Sequence, residues 1–117
     1  MSESIKLFGA LGSPYSMKMR ALLRYRRIPF EWILGLDAQR LAQSIRPPVI
    51  PIVEYPDGTL MNDSTALIFD LEKRRPNARS VVPPDPAMAF LALLIEDFAG
   101  EWITKSMFSY RWLRPRD

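Results

Sequence analysis

The chain has 117 residues, 48% hydrophobic and 25% charged, an ordinary globular balance that argues against disorder. It contains no cysteine and no histidine, which excludes disulfide scaffolds, thiolate metal sites, cysteine catalysis and the commonest general base. Sixteen Lys and Arg against 13 Asp and Glu leave a net charge of +3, and the cations cluster late in predicted helices rather than among stacking aromatics, so no nucleic-acid partner is expected.

Ile5–Phe8 predicts a first strand, ended by Gly9-Ala10-Leu11-Gly12. Ser13 stands where a helix N-cap belongs and Pro14 at the first helical position, which predicts a helix running to about Arg26. Met17, Leu22, Leu23 and Tyr25 are its expected buried face, with Lys18, Arg24 and Arg26 pointing outward. Pro29 ends that segment, and residues 30–34 predict a second strand closing at Gly35. Residues 37–45 read as a short helix, polar on one side, after which Pro47-Pro48 imposes extended backbone.

Residues 49–55 predict a third strand with Pro51 near its start, and Pro56-Asp57-Gly58 turns the chain into Thr59-Leu60-Met61 as an antiparallel hairpin. Asn62-Asp63-Ser64 caps a third helix that ends in the basic Lys73-Arg74-Arg75. Pro76, Pro83, Pro84 and Pro86 mark a linker. Asp85-Pro86 repeats the cap-then-proline start and opens a long helix, with Phe90, Leu91, Leu94, Ile95, Phe98 and Trp102 at helical spacing. Met107, Phe108 and Trp112 extend the apolar set. So apolar a helix normally packs against others: the N-terminal half covers it, another subunit does, or, the favoured expectation, the sequence is a piece of a longer protein or a truncated form of one. The longest apolar run, residues 87–95, is far short of the ~20 residues that span a membrane. Glu3 and Gly9 interrupt any signal-like start. A cytoplasmic protein without a membrane partner is the expectation.

The element order, with a helix opening at Ser13-Pro14, an extended segment holding Pro51, a hairpin and a helix opening at Asp63-Ser64, resembles the glutathione transferase family over nearly the whole chain. The resemblance implies an α/β fold in which a thioredoxin-like β-α-β-α-β-β-α domain is followed by the start of an all-α domain. The implied divisions are residues 1–76, a linker at 77–86, and the first all-α helix at 87–117. Ser13-Pro14-Tyr15-Ser16, followed by Met17-Lys18-Met19-Arg20, is similar to the family's active-site helix start in its serine- and cysteine-using classes. Phe8, at the end of the first strand, lacks the hydroxyl of the tyrosine-using classes. Val49-Ile50-Pro51 is similar to the family's hydrophobic residue before a cis-proline, and Asp63-Ser64-Thr65-Ala66-Leu67 to its acidic-Ser-x-Ala-Ile stretch. Each motif alone also reads as ordinary capping or turn chemistry; their order and spacing carry the resemblance.

What the resemblance implies for function is a glutathione site without metal. The Ile50 backbone would pair with the cysteinyl unit like one more strand. Ser64 and the neighbouring helix-start N–H groups would hold the γ-glutamyl carboxylate, and Asp63 the γ-glutamyl ammonium. Ser13 would be the catalytic residue, its hydroxyl donating to a thiolate that the ligand itself brings to a helix N-terminus. That thiolate would attack a small hydrophobic electrophile, as a transferase or isomerase does, in a homodimer. Ser16 is a secondary candidate for the same role, Tyr15 would line the cleft or pack, and Arg46 would reach the glycyl carboxylate. Pro47-Pro48-Val49 departs from the family pattern where a Lys commonly stands. The alternative is a catalytically silent binding or dimerisation module of the same family. A thiol–disulfide reductase is disfavoured, since both cysteine positions of such a motif, 13 and 16, are serine.

Overall fold

Short apolar segments bounded by turn residues pair into one sheet, and the capped segments between them fold back as helices. A computed structural model describes residues 4–76 and 79–113, the last two by backbone alone, so Glu3 and the Trp112 side chain lie outside the described residues. The strands are β1 (Ile5–Phe8), β2 (Phe30–Ile33), β3 (Ile52–Glu54) and β4 (Leu60–Asn62). They lie in the order β2-β1-β3-β4, with β1 parallel to β2, and β3 antiparallel to both β1 and β4. The helices α1 (Pro14–Tyr25), α2 (Leu36–Ser44) and α3 (Ser64–Arg74) complete the expected β-α-β-α-β-β-α order of a thioredoxin-like domain.

Strand alternation divides the core in two. Ile5 and Leu7 of β1 and Val53 of β3 turn to one face, where Met19 and Leu23 of α1 and Leu67 and Leu71 of α3 cover them. Phe8 and Ile52 turn to the other face, under Ala38 of α2. Lys6 and Glu54 pair across strands on that second face, 3.9 Å apart. That face is therefore apolar at one end of the sheet and charged at the other.

Two expectations for α1 are corrected. Tyr25 is exposed, and Arg26, expected to point outward, is completely buried. The buried positions are Ser16, Met19, Leu23 and Arg26, spaced at three and four residues, so the inward stripe is a true helical face that admits a guanidinium. Nη2 of Arg26 donates to the Arg75 carbonyl at 2.5 Å, and its Nε lies 3.8 Å from Glu72, which ties the end of α1 to the end of α3. The third strand is also shorter than residues 49–55, since its ladder begins only after Pro51, which has no N–H to contribute.

A polar cluster closes the β3–β4 hairpin. Tyr55, 3% exposed, donates its phenol hydrogen to Asp70 at 2.5 Å, while the Arg74 guanidinium lies 4.0 Å above the ring centre and 2.9 Å from the same carboxylate. Burial first, and then the hydrogen bond and negative charge of Asp70, push the Tyr55 phenol well above the usual range. The unfolded phenol loses its proton near pH 10 while the native one keeps it, so this contribution is complete below about pH 10 and declines as pH rises beyond it. The decline is about 1.4 kcal/mol per pH unit for one such group. Tyr55→Phe should cost about 2 kcal/mol at neutral pH, the scale of a hydrogen bond to a charged acceptor, and should flatten the alkaline fall. Urea titrations at pH 7, 10 and 11 check both; an unchanged alkaline slope would assign it to other groups.

The chain divides into two units, Met1–Ser80 and Val81–Asp117. In the second, Asp85 caps α4 (Pro86–Asp97) by accepting from the Met88 N–H at 3.0 Å, with Pro86 in the first turn. Wide π-type turns at Phe98–Ile103 lead into α5 (Thr104–Phe108) and then into further π-type turns at Ser109–Leu113. No residue of α4 is buried, and Trp102, 61% exposed, carries the Lys105 ammonium 4.6 Å above its ring. No helix among the described residues is long and apolar enough to cross a membrane.

Candidate functional site

Sheet register decides which loops share one end of the molecule. Phe8 pairs with Ile33 on one side and with Ile52 on the other, and Ile52 pairs with Asn62. Hydrogen-bonded strands lie about 4.8 Å apart, so the ends of β1 and β4 and the start of β3 fall within roughly 10 Å of one another. From this row leave the turn that enters α1, the Ile50–Pro51 segment, and the start of α3. The three predicted motifs therefore sit at the same end of the sheet, although 50 residues separate Ser13 from Asp63 in the chain.

The first motif is a helix start. Ser13 is the N-cap of α1, its Oγ accepting from the Ser16 N–H at 3.2 Å, with Pro14 next. Accepting leaves the hydroxyl hydrogen available to donate, and it meets no acceptor among the described residues. Ser16 does not fit its expected secondary role. It is completely buried, and its Oγ points back to accept from the Ala10 N–H at 3.3 Å. Tyr15 is partly exposed, with the Lys18 ammonium 5.7 Å from its ring centre.

The second motif enters β3. The Ile50–Pro51 bond is cis, as is Arg46–Pro47. Pro51 is buried, while Ile50 packs beside Phe8 and Ile52 outside the strand ladder. Asn62, expected only to help cap α3, holds this segment in place: its amide donates to the Pro47 carbonyl at 2.7 Å and the Val49 carbonyl at 3.4 Å. Only its position at the end of β4, facing a loop far away in sequence, gives it that role. Arg46 turns toward its own helix, donating to the Gln43 and Ile45 carbonyls at 3.1 and 3.0 Å.

The third motif opens α3. Asp63 adopts a φ of 75°, a region a non-glycine residue seldom occupies and which costs of order 1–3 kcal/mol. Its carboxylate accepts from the Thr65 N–H at 3.1 Å, and Ser64 beside it is 7% exposed. The aligned peptide dipoles of α3 favour an anion at this end.

Between the β1–α1 turn, α2 and the segment before Pro51 lies an open cleft of ≈ 630 Å³, lined among others by Ala10, Leu11, Gln39, Gln43, Val49 and Ile50. The two glutamines were not singled out by the sequence, because an exposed, polar helical face gives no sign of what it faces.

A thioredoxin-like sheet whose helix starts and proline-bearing loop meet at one end is the class of protein this geometry defines. The family profile described as glutathione S-transferase, N-terminal domain, matches residues 7–79. The chain belongs to the glutathione S-transferase family. Among solved structures it is similar to a glutathione S-transferase of Methylobacterium radiotolerans in complex with glutathione sulfonate, at 25% identity and a TM-score of 0.75, over 83% of this chain and 47% of that one. It is similar also to one from Methylobacillus flagellatus with glutathione bound, at 27% identity and a TM-score of 0.70, over 82% and 48% of the two chains. A Tau class enzyme from mango shares the fold at 22% identity and a TM-score of 0.79, over 96% and 52%. The chain thus spans about half the length of these proteins. No curated protein matches it.

Proposed function

We propose that this chain binds glutathione at the shared end of its sheet and that Ser13 activates the ligand thiol for attack on an electrophile. The observation that carries the reading is the Phe8–Ile52–Asn62 row, which gathers Ser13, Ile50 and Asp63-Ser64 at one end of the sheet. The bound glutathione and glutathione sulfonate of two relatives support the choice of ligand. Ser64 and the α3 amides hold the γ-glutamyl carboxylate, helped by the helix dipole. Asp63 offers its carboxylate to the neighbouring ammonium. The Ile50 backbone pairs with the cysteinyl unit, which brings the sulfur to the N-terminus of α1, where peptide dipoles favour thiolate over thiol. Ser13, already accepting from Ser16, donates its hydroxyl hydrogen to that sulfur. No cysteine or histidine of the protein is required.

The electrophile is proposed to be small and hydrophobic, and the acting form a homodimer. A second reading, a silent binding module, is favoured by one observation: the capping bond of Ser13 is a complete structural role by itself.

Calorimetric titration with reduced glutathione tests the site. Wild type should bind saturably, and Ser64→Ala should weaken binding by about tenfold or more, the scale of one hydrogen bond to a charged group. Ser13→Ala should leave affinity nearly unchanged while raising the pKa of the bound thiol, read from the ultraviolet absorbance of the thiolate. An unmoved thiol pKa would favour the silent module, and no binding by folded wild type would overturn the catalytic reading and leave association as the module's role.

A further inference from the structure

We propose that Asn62 is a positioning residue for the thiol: its amide aims the Ile50 N–H at the cysteinyl unit and so sets where the ligand sulfur comes to rest, without touching the ligand itself. The inference rests on the glutathione-binding reading above and adds to it a residue outside the three motifs. The backbone alone leaves a gap at this end of the sheet. The β3–β4 ladder finishes at the Ile52–Asn62 pair, and Pro51 has no N–H with which to extend it. Past that pair, β3 is entered through residues 47–50, while β4 runs on into Asp63 and Ser64. Two segments that each hold part of one ligand are therefore no longer joined by strand pairing.

The Asn62 side chain spans that gap. Its amide nitrogen carries two hydrogens, and it donates to the Pro47 carbonyl at 2.7 Å and, at a longer 3.4 Å, to the Val49 carbonyl. The Val49 N–H closes back on the same Pro47 carbonyl at 2.9 Å, so what Asn62 grips is a three-residue turn already tied to itself. The consequence for Ile50 follows from peptide geometry. The Val49–Ile50 bond is trans, and in a planar trans unit the N–H points opposite to the C=O. Holding the Val49 carbonyl at Asn62 thus turns the Ile50 N–H away from Asn62, and it meets no acceptor among the described residues. An open N–H of this kind is the edge on which an extended peptide pairs. A ligand unit paired there carries its side chain with it, so the bonds from Asn62 fix the sulfur relative to the start of α1.

The test is calorimetry with reduced glutathione on the full chain, together with the pKa of the bound thiol read from thiolate absorbance, in wild type, Asn62→Ala and Asn62→Asp. Asn62→Ala should stay folded, since Asn62 belongs to neither apolar cluster. It should weaken glutathione about tenfold and raise the pKa of the bound thiol by about half a unit or more, because the sulfur no longer settles at the start of α1. Asn62→Asp keeps the shape but turns an acceptor toward two carbonyls, so it should do no better than alanine; it also serves as the second variant should Asn62→Ala fail to fold. Binding within about threefold of wild type in either folded variant would overturn the inference and leave the glutathione site standing. Weaker binding with an unmoved thiol pKa would do the same, as would loss of the fold in both variants, since each makes Asn62 a structural tie alone. Failure of folded wild type to bind glutathione, or to lower its thiol pKa, would overturn the parent reading, and this one with it.

Discussion

Replacing Arg26 by alanine should destabilise the domain by about 3 kcal/mol, the lower end of the range for removing one partner of a buried ion pair. The side chain has no exposed surface, its Nη2 donates to the Arg75 carbonyl at the end of α3, and its Nε lies 3.8 Å from Glu72. Truncation removes a donor from the Arg75 carbonyl and a guanidinium from beside Glu72, and opens a hole where the longest side chain of the α1 stripe had been. These causes can be separated. Arg26→Met keeps most of the volume but not the donors, and Arg26→Lys keeps the charge but not the fork that reaches two groups. Adding Glu72→Leu to Arg26→Met removes the carboxylate that had lost its guanidinium neighbour and should recover part of the loss. Guanidinium unfolding of the four variants reads the order. Equal losses for alanine and methionine would mean that volume contributes nothing, and a double variant no better than the single would remove Glu72 from the account.

Gly9→Ala should cost about 2 kcal/mol, the middle of the range for overpacking a filled core. A β-carbon there would come within 2.7 Å of the Ser16 Oγ, 2.8 Å of the Ser16 Cβ and 2.9 Å of the Trp32 ring. Gly9 also donates its N–H to the Ile33 carbonyl at 3.0 Å, which continues the pairing of β1 with β2 and keeps its backbone from retreating. The strain has to move α1, and Ser13 rides on the start of α1. The variant should thus lose stability and weaken whatever binds at Ser13 together. Ser16→Gly removes two of the three contacts, so combined with Gly9→Ala it should cost less than the sum of the two single changes. Strict additivity in denaturant titrations would show that the crowding lies elsewhere.

How much of this the sequence disclosed depended on how local each signal was. Ser13-Pro14, Asp63-Ser64 and Asp85-Pro86 open helices as their side chains predict, because an N-cap reaches only two or three residues ahead. Arg26 misled for the opposite reason. Its spacing from Met19 and Leu23 places it on the inward stripe, but its charge predicts an outward side chain, and only the carbonyl end of α3 explains its burial. Ser16 was drawn into the site by its resemblance to a motif position, whereas the helical period turns it to the core. Asn62 holds a loop distant in sequence, and Gln39 and Gln43 line a cleft shared with such loops, and nothing within a few residues of any of them says what it will meet.

The β3–β4 hairpin joins two ends of the sheet with different obligations. Its strands begin and finish at the Ile52–Asn62 pair, while its turn at Pro56-Asp57-Gly58 lies at the far end, beyond Glu54 and Leu60, exposed and with Gly58 at a φ of 88°. Descendants of this chain are consequently free to vary in unequal ways. A two-residue insertion at the turn adds to a surface loop and leaves the Ile52–Asn62 register alone. A single-residue insertion between Pro51 and Val53 would invert the strand's faces and carry Ile50 out of line with Ser64. Drift, tags and grafted peptides have a natural entry at one pole of the sheet, and at the other the parity of three residues governs whether a ligand is held at all.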